Sequence, residues 1–303
     1  MRVALLALTL AACKPSLSER SVTASTNDLL QAQRELESTR LACRGWRLKA
    51  FSAEERKTIS DELLHRWLGG TAPASPDGGV VDRPERPTAT DERLTRLGHA
   101  VTHNLQGHAF SFLVVTDSAL DTFSVPDGRV LVTRGLLDAC ATDAQLAGVV
   151  AHEAAHVFYE HALGVVRETA QTSCEVEAVS RVAMAATRAA LEPQPEFAAM
   201  VPELDKANDR LAKRVADDLA RQLAIRGYGT KEQAGAAQEL QADRSAADWM
   251  HSAGYDIREY EGVLGKLEAL SLPHPLTPER IAALEERRTA LPPLPVPPKK
   301  KKK

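Results

Sequence analysis

The chain has 303 residues, 44% of them hydrophobic and 26% charged, the composition of a globular protein long enough for one large domain or a domain with an appendage. Its 38 Lys and Arg against 41 Asp and Glu leave a formal net charge of −3, which excludes the whole-chain basic surface of a nucleic-acid-binding protein. Aromatic residues are 4% of the chain, and Ala, Leu, Arg and Glu are abundant, so a mainly helical body with a small sheet is expected rather than an all-β architecture.

The first twelve residues read as a signal. Arg2 precedes an apolar run from Val3 to Ala12, too short to span a bilayer as a permanent helix. Leu10-Ala11-Ala12-Cys13 resembles a bacterial lipobox, in which acyl chains on Cys13 would hold the protein to a membrane surface. A cleaved secretory peptide with an incidental Cys is the other reading. Cys43, Cys140 and Cys174 match no zinc or redox spacing; one disulfide or buried free thiols would both suit a periplasmic protein.

A Ser- and Thr-rich tether over 14–25 leads into helical patterns at about 27–49 and 53–68. The second opens on Ser52-Ala53-Glu54-Glu55, a capping box. Gly69 to Pro87 is dense in Gly and Pro and reads as a linker. After a helix at about 89–106, the β-branched and aromatic run Phe110 to Thr116 predicts a strand. Phe123-Ser124-Val125 and Arg129 to Thr133, around a Pro126-Asp127-Gly128 turn, predict a hairpin. A helix capped by Thr142 should run to about Leu163. Ala-, Arg- and Glu-rich helices follow over 165–226, broken near Glu192-Pro193-Gln194-Pro195. Further helices are expected at about 231–252 and from Thr277-Pro278.

His152-Glu153-Ala154-Ala155-His156 lies inside the helix capped by Thr142. Residues four apart sit one turn above each other, so both imidazoles can reach one ion, with Glu153 near enough to take a proton from metal-bound water. Val149, Val150 and Val157 make this part of the helix one that should be buried, where unpartnered His and Glu would be costly and a metal would remove the cost. Catalytic zinc needs a third ligand. Tyr159 stands where the extended HExxHxxGxxH pattern requires Gly. Glu239 and Asp243 are four apart on a later helix, so one could bind metal while the other orients a ligand histidine.

Three blocks, PDGRVLVTRGLLDACATDAQLAGVVAHEAAHVFYEH, QELQADRSAADWMHSAGYD and HPLTPERIAAL, together resemble the M48 family of zinc metallopeptidases over about residues 90–288. The resemblance implies a zincin-like (gluzincin) fold with one zinc held by His152, His156 and Glu239, Glu153 as general base, and Asp243 behind the ligands. It also implies a role near the metal for His274, on the substrate carbonyl, the oxyanion or the open zinc position; a loop histidine without a role is the other reading. His161 matches the family's histidine after HExxH, for which packing or support of a ligand is expected rather than ligation. Asp121-Thr122-Phe123 departs from the family's Asn-Ala-Phe, which affects the substrate rim and not the metal. The implied organisation is a signal peptide at 1–12, a tether, helical segment and linker at 13–85, a peptidase domain at 86–288 with extra helices over 165–230, and a Pro- and Lys-rich tail at 289–303. The expected function is a zinc endopeptidase of the bacterial cell envelope acting on proteins or peptides in envelope protein quality control, lipid-anchored and facing the periplasm, with the outer membrane favoured over the inner. An assembly or chaperone-like lipoprotein with envelope partners and little turnover is the alternative. No nucleic-acid partner is expected.

Overall fold

The computed structural model describes residues 36–68, 88–191, 235–269 and 277–294, with isolated positions at 30, 31, 33 and 34 and between 200 and 214. The expected signal segment with Cys13, the linker at 69–87, the prolines near 193, His274 and the terminal lysines lie outside them. The protein is mainly helical with a small mixed sheet, the α+β zincin-like class expected. Two compact units are separated at Lys49/Ala50, Val166/Arg167 and Leu223/Ala224.

In the unit containing the sheet, helix α1 (Ala53–Leu68) begins with the reciprocal cap read from sequence. Ser52 N–H donates to Glu55 Oε2 at 2.9 Å, and Glu55 N–H donates to Ser52 Oγ at 3.2 Å. Strand β1 (Thr88–Ala89) precedes helix α2 (Glu92–Thr102), and strands β2 (Ser111–Val115), β3 (Thr122–Ser124) and β4 (Arg129–Thr133) follow. The described strands lie in the order β1-β2-β4-β3. β2 and β4 run parallel with Phe112 opposite Val130, and β3 returns antiparallel with Phe123 opposite Leu131. The β3–β4 hairpin confirms the turn expected at 126–128. Gly128 has φ 94°, and a Cβ there would fall 1.9 Å from the Ala109 carbonyl oxygen, so glycine alone fits.

Alternation along the strands feeds two cores. Phe112, Val114, Val130 and Val132 pack with Leu94, Leu97 and Val101 of α2 and with apolar residues of the later helices. Val115 and Leu131 face Leu64 and Leu68 of α1. The sheet is therefore covered on both faces, and β3 is left at its edge.

A short helix α3 (Arg134–Ala139) leads to α4 (Asp143–Phe158), whose N-cap Thr142 accepts from Gln145 N–H at 3.2 Å. α4 packs against α2, β3, α6 (Gly235–Ser252) and α7 (Ile257–Ala269) and is almost wholly buried. The expected continuation of α4 to Leu163 does not occur. Glu160 adopts φ 54°, its N–H turns back to the Val157 carbonyl, and α5 (His161–Leu191) starts in a new direction. An ion pair from Arg56 of α1 to Glu160 ties this corner down. α8 (Thr277–Ala290) closes the unit against α6 and α7.

In the other unit, helical residues 36–43 pass into a 3-10 turn at Arg44–Leu48, where a helix to residue 49 was expected. Cys43 is joined to Cys174 of α5 by a disulfide, and Arg47 donates to Gln171 Oε1 at 2.6 Å. Cys140, in the sheet unit, is a buried free thiol. No helix among the described residues is long and apolar enough to cross a membrane.

Candidate metal centre

α4 and α6 lie against each other and supply the central residues. His152 and His156 fall on the same side of α4, and Glu239 and Asp243 on the facing side of α6. His152 Nε2 and His156 Nε2 are 3.0 Å apart, and Glu239 carboxylate oxygens lie 3.3 and 3.4 Å from them. The three groups can each offer one atom within 4.8 Å of the others. All three face a cleft of about 200 Å³, lined also by Glu153, by Phe123, Ser124 and Val125 from the β3 edge, and by Trp67.

Each of these side chains has a partner behind it. His152 Nδ1 faces Asp243 Oδ1 at 2.8 Å, so the carboxylate takes the Nδ1–H and turns Nε2 to the cluster. Asp243 is fully buried and bidentate to Arg280 of α8, which donates from Nε to Oδ2 at 2.6 Å and from Nη2 to Oδ1 at 2.9 Å. Arg280 Nη1 also lies 3.1 Å from Glu239 Oε2. The Tyr260 hydroxyl of α7 donates to Asp243 Oδ1 at 2.9 Å. Glu153 Oε2 accepts from Ser124 Oγ of β3 at 2.8 Å, which holds that carboxylate towards the sheet edge.

Burial opposes ionisation of the acids, but specific partners overcome it. Hydrogen bonds from Arg280 and the charge of His152 hold Asp243 down at about 2. Glu239 lies well below the usual carboxylate range, held there by His152, His156 and Arg280. Burial pushes His152 down, yet Asp243 and Glu239 outweigh it and raise it to about 9. His156 is pushed down to about 3 by burial and by the neighbouring His152, and His161 is lowered chiefly by burial. Burial raises the Tyr260 hydroxyl, which therefore stays a neutral donor.

A divalent cation fits this arrangement. Two buried carboxylates, Glu239 and Asp243, draw positive charge to this point: the Arg280 guanidinium and a proton on His152, which a metal ion would displace. Two imidazole nitrogens and a carboxylate are the donor types that zinc takes, and three protein ligands leave a position open. In the metal-free cluster the His152 Nε2–H donates to His156 Nε2 at 3.0 Å; a cation would take that proton's place between the two nitrogens.

Of the residues singled out from sequence, His152, Glu153, His156, Glu239 and Asp243 are brought together here, and His161 sits against His156. Cys13 and His274 lie outside the described residues. Ser124, Tyr260 and Arg280 carried no signal in the sequence reading. Arg280 could have been noticed as a charge on a buried stripe with Ala283 and Leu284. Tyr260 belongs to a helical run, Ile257, Tyr260, Val263 and Leu264, for which no helix was expected between 252 and 277.

The sequence matches the family model described as Peptidase family M48 over residues 88–288. It is similar to the "Putative beta-barrel assembly-enhancing protease" of Vibrio cholerae, 27% identical over 255 residues, 78% of this chain and 46% of that protein. "Metalloprotease LoiP" of Escherichia coli is 33% identical over 136 residues, 45% of this chain and 48% of its own. The "Mitochondrial metalloendopeptidase OMA1" of Arabidopsis thaliana is 36% identical over 63 residues, 21% of this chain and 13% of its own. The chain spans less than half the length of each relative. With that match over most of its length and across the helices that carry His152, His156, Glu239, Asp243 and Arg280, the chain belongs to peptidase family M48.

Proposed function

We propose that the protein is a zinc-dependent endopeptidase of the bacterial cell envelope. The observation that carries this reading is the convergence of His152, His156 and Glu239 beside Glu153, in a cleft bordered by a sheet edge. His152, His156 and Glu239 would hold the metal, and Asp243 and Arg280 would orient His152 and Glu239. Zinc in such a site polarises a carbonyl and lowers the pKa of a coordinated water to about 7. Glu153, held by Ser124, would take the proton of that water and give it to the departing amine. The edge of β3, the last strand of the described sheet, would align an extended substrate through backbone hydrogen bonds.

An envelope location is supported by the Cys43–Cys174 disulfide, a bond that persists in oxidising compartments, and by the lipobox-like sequence ending at Cys13. Lipid anchoring predicts labelling by radioactive palmitate that Cys13→Ser abolishes. Metal analysis tests the site itself. The purified wild-type chain should carry one zinc and His156→Ala should lose it; a wild-type chain without stoichiometric zinc would overturn the reading.

The alternative of an envelope assembly factor draws on the Vibrio cholerae relative, whose name couples β-barrel assembly to a protease and whose match covers 78% of this chain. Glu153→Gln separates the two. Under the peptidase reading the variant fails to complement a deletion strain, and under the assembly reading it complements.

A further inference from the structure

The two α4 histidines are supported by different chemistry. Behind His152 stands a carboxylate, Asp243; behind His156 stands another imidazole. His161 Nδ1 is 2.8 Å from His156 Nδ1, and His161 Nε2 is 3.1 Å from the Gln241 side-chain oxygen. Because that oxygen only accepts, His161 carries its proton on Nε2 and donates it to Gln241. Its Nδ1 is then a lone pair, so His156 Nδ1 must be the N–H that donates to it. The proton on His156 is thus fixed on the side away from the cluster, and Nε2 is left bare towards Glu239 and His152.

The corner between α4 and α5 makes this contact. In an uninterrupted helix, five residues advance about 500°, which would put His161 roughly 140° around the axis from His156. The left-handed Glu160 breaks the helix and brings the His161 ring back over His156, with ring centroids 4.8 Å apart. The ring is fixed from a second side by Tyr159, stacked at 5.8 Å, whose hydroxyl is 2.9 Å from Ser245 Oγ of α6. Both anchors, Gln241 and Ser245, belong to the helix that carries Glu239.

We propose that His161 and Gln241 are positioning residues that set the tautomer and orientation of His156, and that this neutral relay replaces on His156 the carboxylate that serves His152. The inference rests on the reading of His156 as a metal ligand. It predicts that metal affinity responds to the far end of the relay. A carboxylate at 241 would accept more strongly and make His156 a better donor, whereas an apolar residue there would leave His161 free to turn.

The experiment is chelator competition for Zn2+ on the full chain, together with the visible absorption of the Co2+-substituted protein. His161→Phe keeps the ring and removes the acceptor; it should weaken metal binding about 10–100-fold and shift the cobalt bands. His161→Asn, whose side-chain oxygen can accept from His156 Nδ1–H, should recover most of both. Gln241 is exposed, so its variants test the relay without disturbing the core. Gln241→Glu should tighten Zn2+ binding and Gln241→Leu should weaken it, each by a few-fold. Equal affinity and unchanged cobalt bands in His161→Phe, or Gln241→Glu and Gln241→Leu that shift affinity alike, would overturn the relay. If the wild-type chain takes up no stoichiometric metal, the metal reading fails instead, and the two failures are distinguishable.

Discussion

Asp243, behind the cleft, takes the His152 N–H, both arms of Arg280 and the Tyr260 hydroxyl, with no exposure to solvent. Asp243→Ala should therefore have two separable effects. Loss of the partner behind His152 should weaken zinc binding about 10–100-fold, measured by chelator competition. Leaving the Arg280 guanidinium buried without its bidentate partner should cost about 3–5 kcal/mol, measured by urea unfolding of the metal-free protein. Cys140 gives a simpler residue-scale prediction. Burial pushes its thiol up to about 11, so at pH 8 it is neutral and shielded. Iodoacetamide should leave it unmodified in the native protein and alkylate it after denaturation, as read by peptide mass mapping; rapid native labelling would contradict its placement.

At the scale of elements, close approach of α4 and α7 depends on Gly148, where an added Cβ would fall 2.5 Å from the Tyr260 side chain. Alanine is the better helix former by about 1 kcal/mol, but overpacking costs about 1–3 kcal/mol, so Gly148→Ala should destabilise on balance. Urea unfolding checks this; a stabilised variant would show that α7 can yield. The same elements show what was legible in the sequence. The capping box at Ser52, the Thr142 cap, the hairpin around Gly128 and the strand at 111–115 follow from local rules, and each is found within a few residues of its expected place. The end of α4 was not legible, because a helix normally stops in the left-handed region at glycine or asparagine and here Glu160 does so, held by Arg56 from a distant helix. α7 carried a readable apolar period that the motif blocks on either side overshadowed. His152, His156, Glu239 and Asp243 could be paired because spacing of four puts each pair on one helix face. Arg280, Tyr260 and Ser124 could not, since their roles arise only where separate elements meet.

At the scale of the whole molecule, the chain combines an M48 region over 88–288 with a disulfide that joins Cys43 to Cys174 across 131 residues of sequence. Closing a loop of that length removes much freedom from the unfolded chain, and Cys43→Ser should cost about 2–5 kcal/mol. Reductant should lower the stability of the wild type in urea towards that of the variant and leave the variant unchanged. The opening charge balance also divides. Five of the basic residues form Lys299–Lys303, so the −3 of the whole chain becomes −8 without those five, and the acidic remainder includes the carboxylates of the cleft. The proposed reaction in this cleft is peptide-bond hydrolysis with Glu153 handling the proton. Its most direct test is the rate of cleavage of an unfolded protein substrate by wild type and Glu153→Gln at equal zinc content. The wild type should cleave only with zinc bound, and the variant should lose at least about 100-fold with zinc retained; equal rates would rule out Glu153 as the proton carrier.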